Sequence, residues 1–532
     1  RSSPGLYLFV PLIVVQSLGT TLVALGPFDT RAIITSGSAA VSGFGTLALL
    51  TCLLLLFYTV EALERDRATG LASISRSTPI GSGALFLGKT LAMMGVALVV
   101  VAAAMAGTVV GMLIQDVAGV ELAPFGWVWG AALLPTFLVW IAFLAAAHAL
   151  TGGRYLTYGA GLGVMALTVY HGVTGGLTWT SNWLLSGALE WTDMGVFPLN
   201  GEALLVNRAF WLSVSVLLLF LAVAWHRRRE PDAVAWMGRL QPKPLLLGAA
   251  RLAPLALAPL GLGVWLWLGV QGGFQGDERE QAAEDYWKRN FATYREHPLP
   301  SVDHLELDLR LRPSERGLES RGEMLLVNEN DSTLRRIPLT GGFHWRDVRW
   351  TMAGDSVEPE DREGLYVFRP EGGLAPGDSV GVGWSFHGAH PDGWTENGGG
   401  TGTFVLPAGV VIHTFGPVMT PVPGFVESIG RSEERDYDAE DPAEGWWRGR
   451  TDPFVGLGSP FSARLTVTGP AGGWRYNSVG VLTADSTHDG LRTMTWETEY
   501  PIRFTNVVAG KWDVRESTVV GADGDTARTE VW

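Results

Sequence analysis

Two neighbouring histidines are the first candidates for chemistry in this sequence. The run FHGAH places His387 and His390 three residues apart, within a Gly-rich stretch that offers no carboxylate in a metal-binding register. A zinc peptidase would carry His-Glu-x-x-His on a helix, which puts both histidines on one face with the Glu as base, and the sequence has no such run. We therefore predict neither a metal site nor a bound cofactor.

Other patterns that support catalysis are also missing from the sequence. It contains neither a Gly-x-Ser-x-Gly nucleophile elbow nor a Walker-type phosphate loop. Glu497 and Glu499 fall on one face of a predicted strand, yet alternating acidic residues in an acidic region are typical of a solvated surface. We predict no catalytic residue, so this chain by itself is not expected to be an enzyme.

Two further histidines lie in apolar surroundings, where an ionisable residue can mark a proton path. His148 and His171 fall within or at the ends of long apolar runs. Neither has an acidic residue in the same run, so an interfacial or hydrogen-bonded histidine is the simpler interpretation.

The most distinctive stretch is a charged loop between two apolar runs. VEALERDRATGLASISRSTPIGSGALFLGK, residues 60–89, carries Arg65, Arg67, Arg76 and Lys89. A second basic loop at 226–251 begins with HRRR. Loops rich in Lys and Arg stay on the cytoplasmic side of a membrane, so we expect both loops there. A purely solvated interfacial cluster is an open alternative for ERDR.

Long apolar segments are the elements that must position these residues. The chain has 532 residues, of which 47% are hydrophobic and 17% charged, and this is too apolar for an ordinary soluble protein. Seven runs approach the roughly 20 residues that cross a bilayer. The fifth run is the weakest because it is Gly-rich, but without it HRRR would fall on the wrong side. The runs are 6–27, 41–61, 88–114, 127–150, 155–175, 206–225 and 248–270.

Seven spans predict where each part of the chain lies. The amino terminus is then cytoplasmic, and everything after about residue 272 is extracytoplasmic. The loops at 115–126 and 176–205 fall outside and are poor in Lys and Arg, as this topology requires. We expect a protein of the bacterial inner membrane with a periplasmic carboxyl-terminal domain.

Charge and cysteine content exclude several classes of partner and site. Before residue 275 there are 11 acidic and 14 basic residues, and after it 42 acidic and 25 basic. Because the soluble part is strongly acidic, nucleic acid is not an expected partner. Cys52 is the only cysteine, so the chain forms no intrachain disulfide and no cysteine metal site.

The soluble part begins with a predicted helix and continues as strands. Residues 274–298 are charged and free of Pro and Gly after Gly276, which indicates a short helix. VDHLELDLRLR then alternates apolar and polar positions, and similar short runs recur between Gly, Pro, Asn and Asp. We predict an all-α membrane bundle at 1–272, a helical linker at 273–298, and an all-β sandwich or saddle-like domain at 299–532.

The charged loop resembles the loop between the second and third helices of ABC-2-type exporter permeases. In that family an acidic and Arg-Asp cluster, a Gly-Leu, a Thr-Pro and a Gly-Lys lie on the cytoplasmic side near the ATPase. The resemblance implies a separate ABC ATPase as partner and a dimer or larger membrane complex in the lipid bilayer. It also implies a coupling loop with the matching residues Glu64, Arg65, Asp66, Gly70, Leu71, Thr78, Pro79, Gly88 and Lys89.

The start of the β region resembles the amino-terminal β-domain of M1-family (gluzincin) aminopeptidases. VDHLELDLRLRPSERGLESRGEMLLVNENDSTLRRIPL is similar to its opening strands, and SARLTVTGPAGGWRYNSVG and WETEYPIRFTNVVAGKWDV to later ones. Bacterial proteins that fuse an ABC-2-like region to such a domain have this order of parts, with a zinc domain next. This sequence ends before such a domain, and both of its ends are expected to be cut; whether a zinc domain follows Trp532 is left open.

Three functions remain open at this point. The chain is expected to be a permease subunit that docks an ATPase through residues 62–89 and moves a substrate outward. Alternatively, it is an accessory subunit that scaffolds a larger membrane complex. The third possibility, a membrane-tethered zinc aminopeptidase, requires residues beyond Trp532.

Overall fold

The architecture is given by a computed structural model, which divides the chain into two units. The first comprises Arg1–Val270 and Thr395–Gly399, and the second Gln271–Trp394 and Gly400–Trp532. The described residues are 4–23, 34–70, 81–116, 118–192, 199–226, 250–399, 402–413, 415–427, 429, 459–512, 514–520 and 526–531.

The first unit is helical. A helical turn, Ala123–Phe125, and a π-helix, Gly126–Leu133, lead directly into its fifth α-helix. Pro135 lies in the first turn of that helix, where a missing N–H is tolerated. The helices are α1 Pro4–Leu22, α2 Ser36–Ser42, α3 Phe44–Ala68, α4 Ser82–Gln115, α5 Leu134–Thr151, α6 Arg154–Val173, α7 Gly201–Trp225 and α8 Ala253–Gln271.

Within the described residues, six helices are long and apolar enough to cross a membrane. They include α1, α3, α4, α7 and α8, together with the continuous stretch Ala123–Thr151 that ends in α5. The predicted fifth span, 155–175, coincides with α6, which is a helix of 20 residues but is not among the six. Its glycines and hydroxyl side chains lower its hydropathy.

Helix α5 is the centre of the bundle, and it packs against α3, α4, α6 and α7. Its large side chains Phe137 and Trp140 are fully buried, and the indole of Trp140 donates to the Cys52 carbonyl of α3 over 2.7 Å. A buried indole requires such a partner, since an unmet N–H would cost about 1–3 kcal/mol.

Helices α1 and α4 cross at two glycines. A Cβ on Gly107 would lie 2.4 Å from the carbonyl oxygen of Val14, and one on Gly111 would lie 2.8 Å from Cβ of Thr21. Small residues four apart let two helices approach to backbone contact, which is how apolar helices associate in lipid. The Gln115 side chain then donates to the Thr21 carbonyl over 2.7 Å.

The second unit begins with α9, Asp277–Tyr294, and continues in strands. An eight-stranded sheet has the order β14-β15-β12-β1-β2-β8-β4-β5, and only β1 and β12 among its paired strands are parallel. Smaller sheets have the orders β13-β16-β10-β9, β11-β3-β7-β6 and β17-β18. The strands are β1 Ser301–Arg312, β2 Gly317–Val327, β3 Ile337–Thr340, β4 Arg346–Met352, β5 Asp355–Val357, β6 Glu360–Arg362, β7 Leu365–Phe368, β8 Ser379–Ala389, β9 Phe404–Leu406, β10 Gly409–Ile412, β11 Val422–Pro423, β12 Ser462–Pro470, β13 Arg475–Ser478, β14 Val481–His488, β15 Leu491–Glu497, β16 Val507–Gly510, β17 Arg515–Val520 and β18 Thr526–Val531.

Alternation in the sequence places the core of this unit. In β1 the residues Leu305, Leu307, Leu309 and Leu311 are buried, while the polar residues between them are not. They join one hydrophobic cluster with side chains from β2, β8 and β12. The predicted strand with one buried face is thereby confirmed.

Candidate functional site

The charged cluster predicted from the sequence lies where several helix ends meet. Glu64, Arg65 and Asp66 occupy the last turns of α3, and Gly70 follows with φ +72°, a conformation that favours glycine. Lys89, and Gly88 beside it, are on the first turns of α4. The other predicted residues, Leu71, Thr78 and Pro79, lie outside the described residues.

Ion pairs join these helix ends to one another. Lys89 Nζ is 3.2 Å from Asp66 Oδ2, which links α4 to α3. Arg67, also on α3, is 3.6 Å from Glu64 and donates over 3.0 Å to the Gly152 carbonyl just beyond α5. Cations beside the carboxyl end of a helix also stabilise its dipole.

His148 is part of the same cluster. Its Nε2 is 3.5 Å from Glu64 Oε1, and its Nδ1 is 3.3 Å from the hydroxyl of Thr157 on α6. The interpretation as a hydrogen-bonded histidine is confirmed, with one addition. The acidic partner comes from a different helix, which inspection of a single apolar run does not reveal.

Arg65 differs from its neighbours in the cluster because its side chain points to solvent. It is exposed, and within the described part of the chain it makes no ion pair. Tyr158 on α6, by contrast, donates to Glu61 over 3.1 Å. The paired groups bind the helices together, whereas the Arg65 side chain is exposed.

A second polar site, which the sequence analysis missed, surrounds Arg208 on α7. The guanidinium is buried, and its five N–H bonds reach four oxygens. Nη1 donates to the Ala132 carbonyl over 3.1 Å and to the Thr136 hydroxyl over 2.8 Å, and Nη2 to the Trp183 carbonyl over 3.1 Å. Nε and Nη2 also donate to Asn207 Oδ1 over 2.9 and 2.6 Å.

The sequence does carry a signal for this site. An arginine inside the apolar run 206–225 is costly in a membrane and therefore marks a special position. The sequence does not reveal the partners, because they come from the π-helix, from α5, from the loop before α7 and from α7 itself. Only folding brings these oxygens together.

The histidines of FHGAH do not converge on a common ion. His387 on β8 is exposed and lies 3.3 Å from Asp347, whereas the half-buried His390 lies against the ring of His344 at 5.0 Å. Within the described residues, no three His, Cys, Asp or Glu side chains form a group suited to a metal ion.

The carboxylates paired in the sequence are also separated. Glu497 is the last residue of β15, is exposed, and lies 3.6 Å from Arg464, whereas Glu499 falls beyond the strand. The prediction that both carboxylates lie on one strand face was therefore wrong, because the strand ends at Glu497 and does not reach Glu499. Glu497 has the solvated position expected for it.

The buried His344 and the half-buried His390 are held neutral by their surroundings. Burial is the main cause that lowers the pKa of His344 to about 3 and that of His390 to about 4; His390 contributes next at His344, and the nearby Arg279 contributes at both. Asp392, which is 2.7 Å from Arg279 and 3.5 Å from Arg346, opposes the shift at His390. The His344 Nε2 lies 3.1 Å from the Val418 carbonyl.

These shifts predict that acid destabilises the second unit. The folded pKa values lie below the ordinary value of about 6.5, so stability is complete above pH 6.5 and is lost as the pH falls toward 4. We expect a loss of about 1.4 kcal/mol per histidine for each pH unit below about 6. Hydrogen exchange of the β1 and β8 amides in the full chain, corrected for the pH dependence of the intrinsic exchange rates, measures this loss of stability.

Two variants separate this pair from general acid effects. His390→Phe should flatten the pH dependence, while His488→Gln should not, since the His488 side chain is 90% exposed. An unchanged slope in His390→Phe contradicts the assignment.

Comparison with known proteins gives structural neighbours only. No protein-family model and no curated protein sequence matches the chain. Among solved structures, an M1 zinc metallopeptidase from Deinococcus radiodurans bound to Tyr-Ser-Ala has 17% identity and a TM-score of 0.30, covering 47% of this chain and 50% of that one. Another structure of the Deinococcus radiodurans enzyme has 16% identity and a TM-score of 0.29, covering 47% and 49%.

Aminopeptidase A from Legionella pneumophila, in complex with aspartic acid, is a further neighbour. It has 15% identity and a TM-score of 0.30, covering 45% of this chain and 25% of that one. The chain thus spans half or less of the length of these neighbours. In part of its length it is similar to M1 aminopeptidases, at a level that carries no conclusion about activity.

Proposed function

We propose that the chain is a membrane-embedded, ABC-2-type permease subunit that docks a separate ABC ATPase through the charged cluster. The observation that carries the proposal is the exposed Arg65 at a point where the ends of α3, α4 and α5 are joined by ion pairs and hydrogen bonds. The β region is then a non-catalytic extracytoplasmic domain.

The course of α6 supports seven spans in this proposal. Near its start, Thr157 contacts His148 in the charged cluster, and near its end Thr168 accepts from the Trp183 indole over 2.9 Å. Trp183 also contacts Arg208, close to the start of α7, so α6 runs from one end of the bundle to the other. The loops 62–89 and 226–251 then share the cytoplasmic end.

The contacts of the charged cluster suit the transmission of a conformational change from the proposed ATPase to the helices. Asp66 and Lys89 tie α3 to α4, while Arg67 and Glu64 tie α3 to Gly152 and His148 at the end of α5. Since Phe86 of α4 also lies 5.2 Å from the ring of His226, just beyond α7, and shares a hydrophobic cluster with Ala222, a displacement at Arg65 would reach four helices.

Charge reversal tests docking, and the structure separates two effects. Arg65→Glu should abolish co-purification with the ATPase and its stimulated ATP hydrolysis, because an exposed cation becomes an anion facing an acidic partner. Asp66→Lys should also impair both, but through loss of the pair with Lys89. The double variant Asp66→Lys, Lys89→Asp restores that pair and should recover most of the activity.

A control on the same helix completes the design. Asp116, beyond the far end of α4, is about 40 Å from Lys89 by the rise of the helix, and Asp116→Lys should leave ATPase recovery unchanged. Stable recovery with unrelated membrane subunits and no ATPase would instead support an accessory, scaffolding subunit and overturn the proposal.

A further inference from the structure

A short segment between β8 and β9 belongs to the helical unit. Thr395–Gly399, with the sequence TENGG, is grouped with residues 1–270, while the chain on both sides of it belongs to the second unit. We call this segment the strap. It carries no apolar side chain larger than the methyl group of a threonine, so polar contacts must hold it.

Those contacts are made with the loop that precedes α7. The backbone N–H of Trp179 donates to the Glu396 carbonyl over 3.0 Å, and its indole donates to the Thr395 carbonyl over 2.9 Å. The Asn200 side chain accepts from the Thr395 hydroxyl over 2.9 Å and donates to the Gly399 carbonyl over 2.5 Å. The strap is thus bound along its length through its main chain.

The strap also requires glycine at one position. Gly398 has φ +80°, and a Cβ there would lie 2.1 Å from the carbonyl oxygen of Ala188. No side chain fits at that distance, so a substitution at Gly398 must lift the strap from the loop.

A chain of side chains connects the strap to Arg208. Asn182 donates to Asn397 Oδ1 over 2.7 Å, and its own carbonyl accepts from Asn207 over 3.3 Å. Asn207 in turn receives two bonds from Arg208. Asn207 therefore links Arg208 to the two residues that hold the strap, because its amide also donates to the Trp179 carbonyl over 2.5 Å.

We propose that the strap is a releasable latch over the end of the helix bundle that carries Arg208, and that Asn182 and Asn207 position it. Its contacts are hydrogen bonds, which exchange for water at a small net cost, and the one large side chain that bonds it, the buried Trp179, belongs to the loop and not to the strap. In a transporter, a latch in this place would have to open before a substrate leaves; that role rests on the proposed function.

Thiol labelling tests the latch without any assay of transport. Asn397→Cys is made in the full chain with Cys52→Ala, and its reaction with a bulky water-soluble maleimide is timed in lipid nanodiscs. We expect it to react at least tenfold more slowly than Thr487→Cys on the exposed strand β14. Adding Gly398→Ala should raise the rate at position 397 at least tenfold.

Gly372→Ala is the matched control. Gly372 has a similar φ of +75° but open space around it, so the same backbone strain arises without a clash, and the rate of labelling at position 397 should not change.

Asn182→Cys with Asn397→Cys should form a disulfide under mild oxidation. Equal labelling at positions 397 and 487, or no response to Gly398→Ala, overturns the latch.

The crosslink separates the latch from the proposed function. If both hold, oxidation of the pair stops ATPase stimulation and reduction restores it. If position 397 is labelled slowly and Gly398→Ala raises its rate, but no ATPase associates with the chain, the latch is supported and the permease proposal fails.

Discussion

Arg208→Leu is expected to destabilise the helical unit by about 3 kcal/mol or more. Leucine removes five N–H donors, so the buried Asn207 amide oxygen loses both bonds from Arg208. The Ala132 and Trp183 carbonyls lose their bonds of 3.1 Å and keep, among side-chain donors, the Thr136 hydroxyl at 3.4 and 3.5 Å. Each such loss costs about 1–3 kcal/mol. Leucine also removes the cost of burying a charge in a membrane span, about 2.5–3.5 kcal/mol. This gain offsets only part of the total cost of the lost hydrogen bonds.

The chain contains its own probe for this measurement. Cys52 is the only cysteine and is fully buried, so a thiol-reactive fluorophore reports unfolding of the helical unit during a thermal ramp. Arg208→Lys keeps the charge but has no planar fork, and it should also melt early. Arg154→Leu, which changes an exposed arginine, should melt like the unaltered chain. A melting temperature unchanged by Arg208→Leu contradicts the assigned role of the network.

Gly107→Leu is expected to separate α1 from α4 and to cost on the order of 3 kcal/mol. The added Cβ would lie 2.4 Å from a backbone oxygen of Val14, and backbone cannot rotate aside as a side chain can. The helices must move apart, which also loses the bond between Gln115 and Thr21.

The same thermal ramp with Cys52 detection measures this effect. Gly95→Leu is the matched control, because Gly95 lies on the same helix and a Cβ there meets nothing within 4 Å. It should melt at nearly the temperature of the unaltered chain. Equal melting of the two variants would show that α1 and α4 are not packed as described.

The order of helices and strands was readable from local patterns. Apolar runs of about 20 residues predict helices because a bilayer-spanning backbone must satisfy its own hydrogen bonds. Alternation in VDHLELDLRLR predicts β1 because a strand buries every second residue. The short helix expected at 274–298 appears as α9, Asp277–Tyr294, for the same kind of local reason.

Tertiary structure alone decided which polar groups meet. Nothing near His148 in the sequence supplies a carboxylate, yet Glu64 reaches it from 84 positions away because α3 and α5 pack side by side. Similarly, the oxygens around Arg208 come from the π-helix, from α5, from the loop before α7 and from α7 itself. A sequence shows that a buried charge needs partners, whereas their identity depends on which helices are neighbours.

What the sequence by itself determined is therefore the apolar and polar periodicity, and with it the membrane-like helices followed by β structure. The pairing of Asp66 with Lys89, the exposure of Arg65 and the seating of Thr395–Gly399 among helix-unit residues were decided by packing. The physical reason is that periodicity is a property of one segment, while hydrogen bonds and ion pairs act over a few ångströms between segments that only the fold brings together.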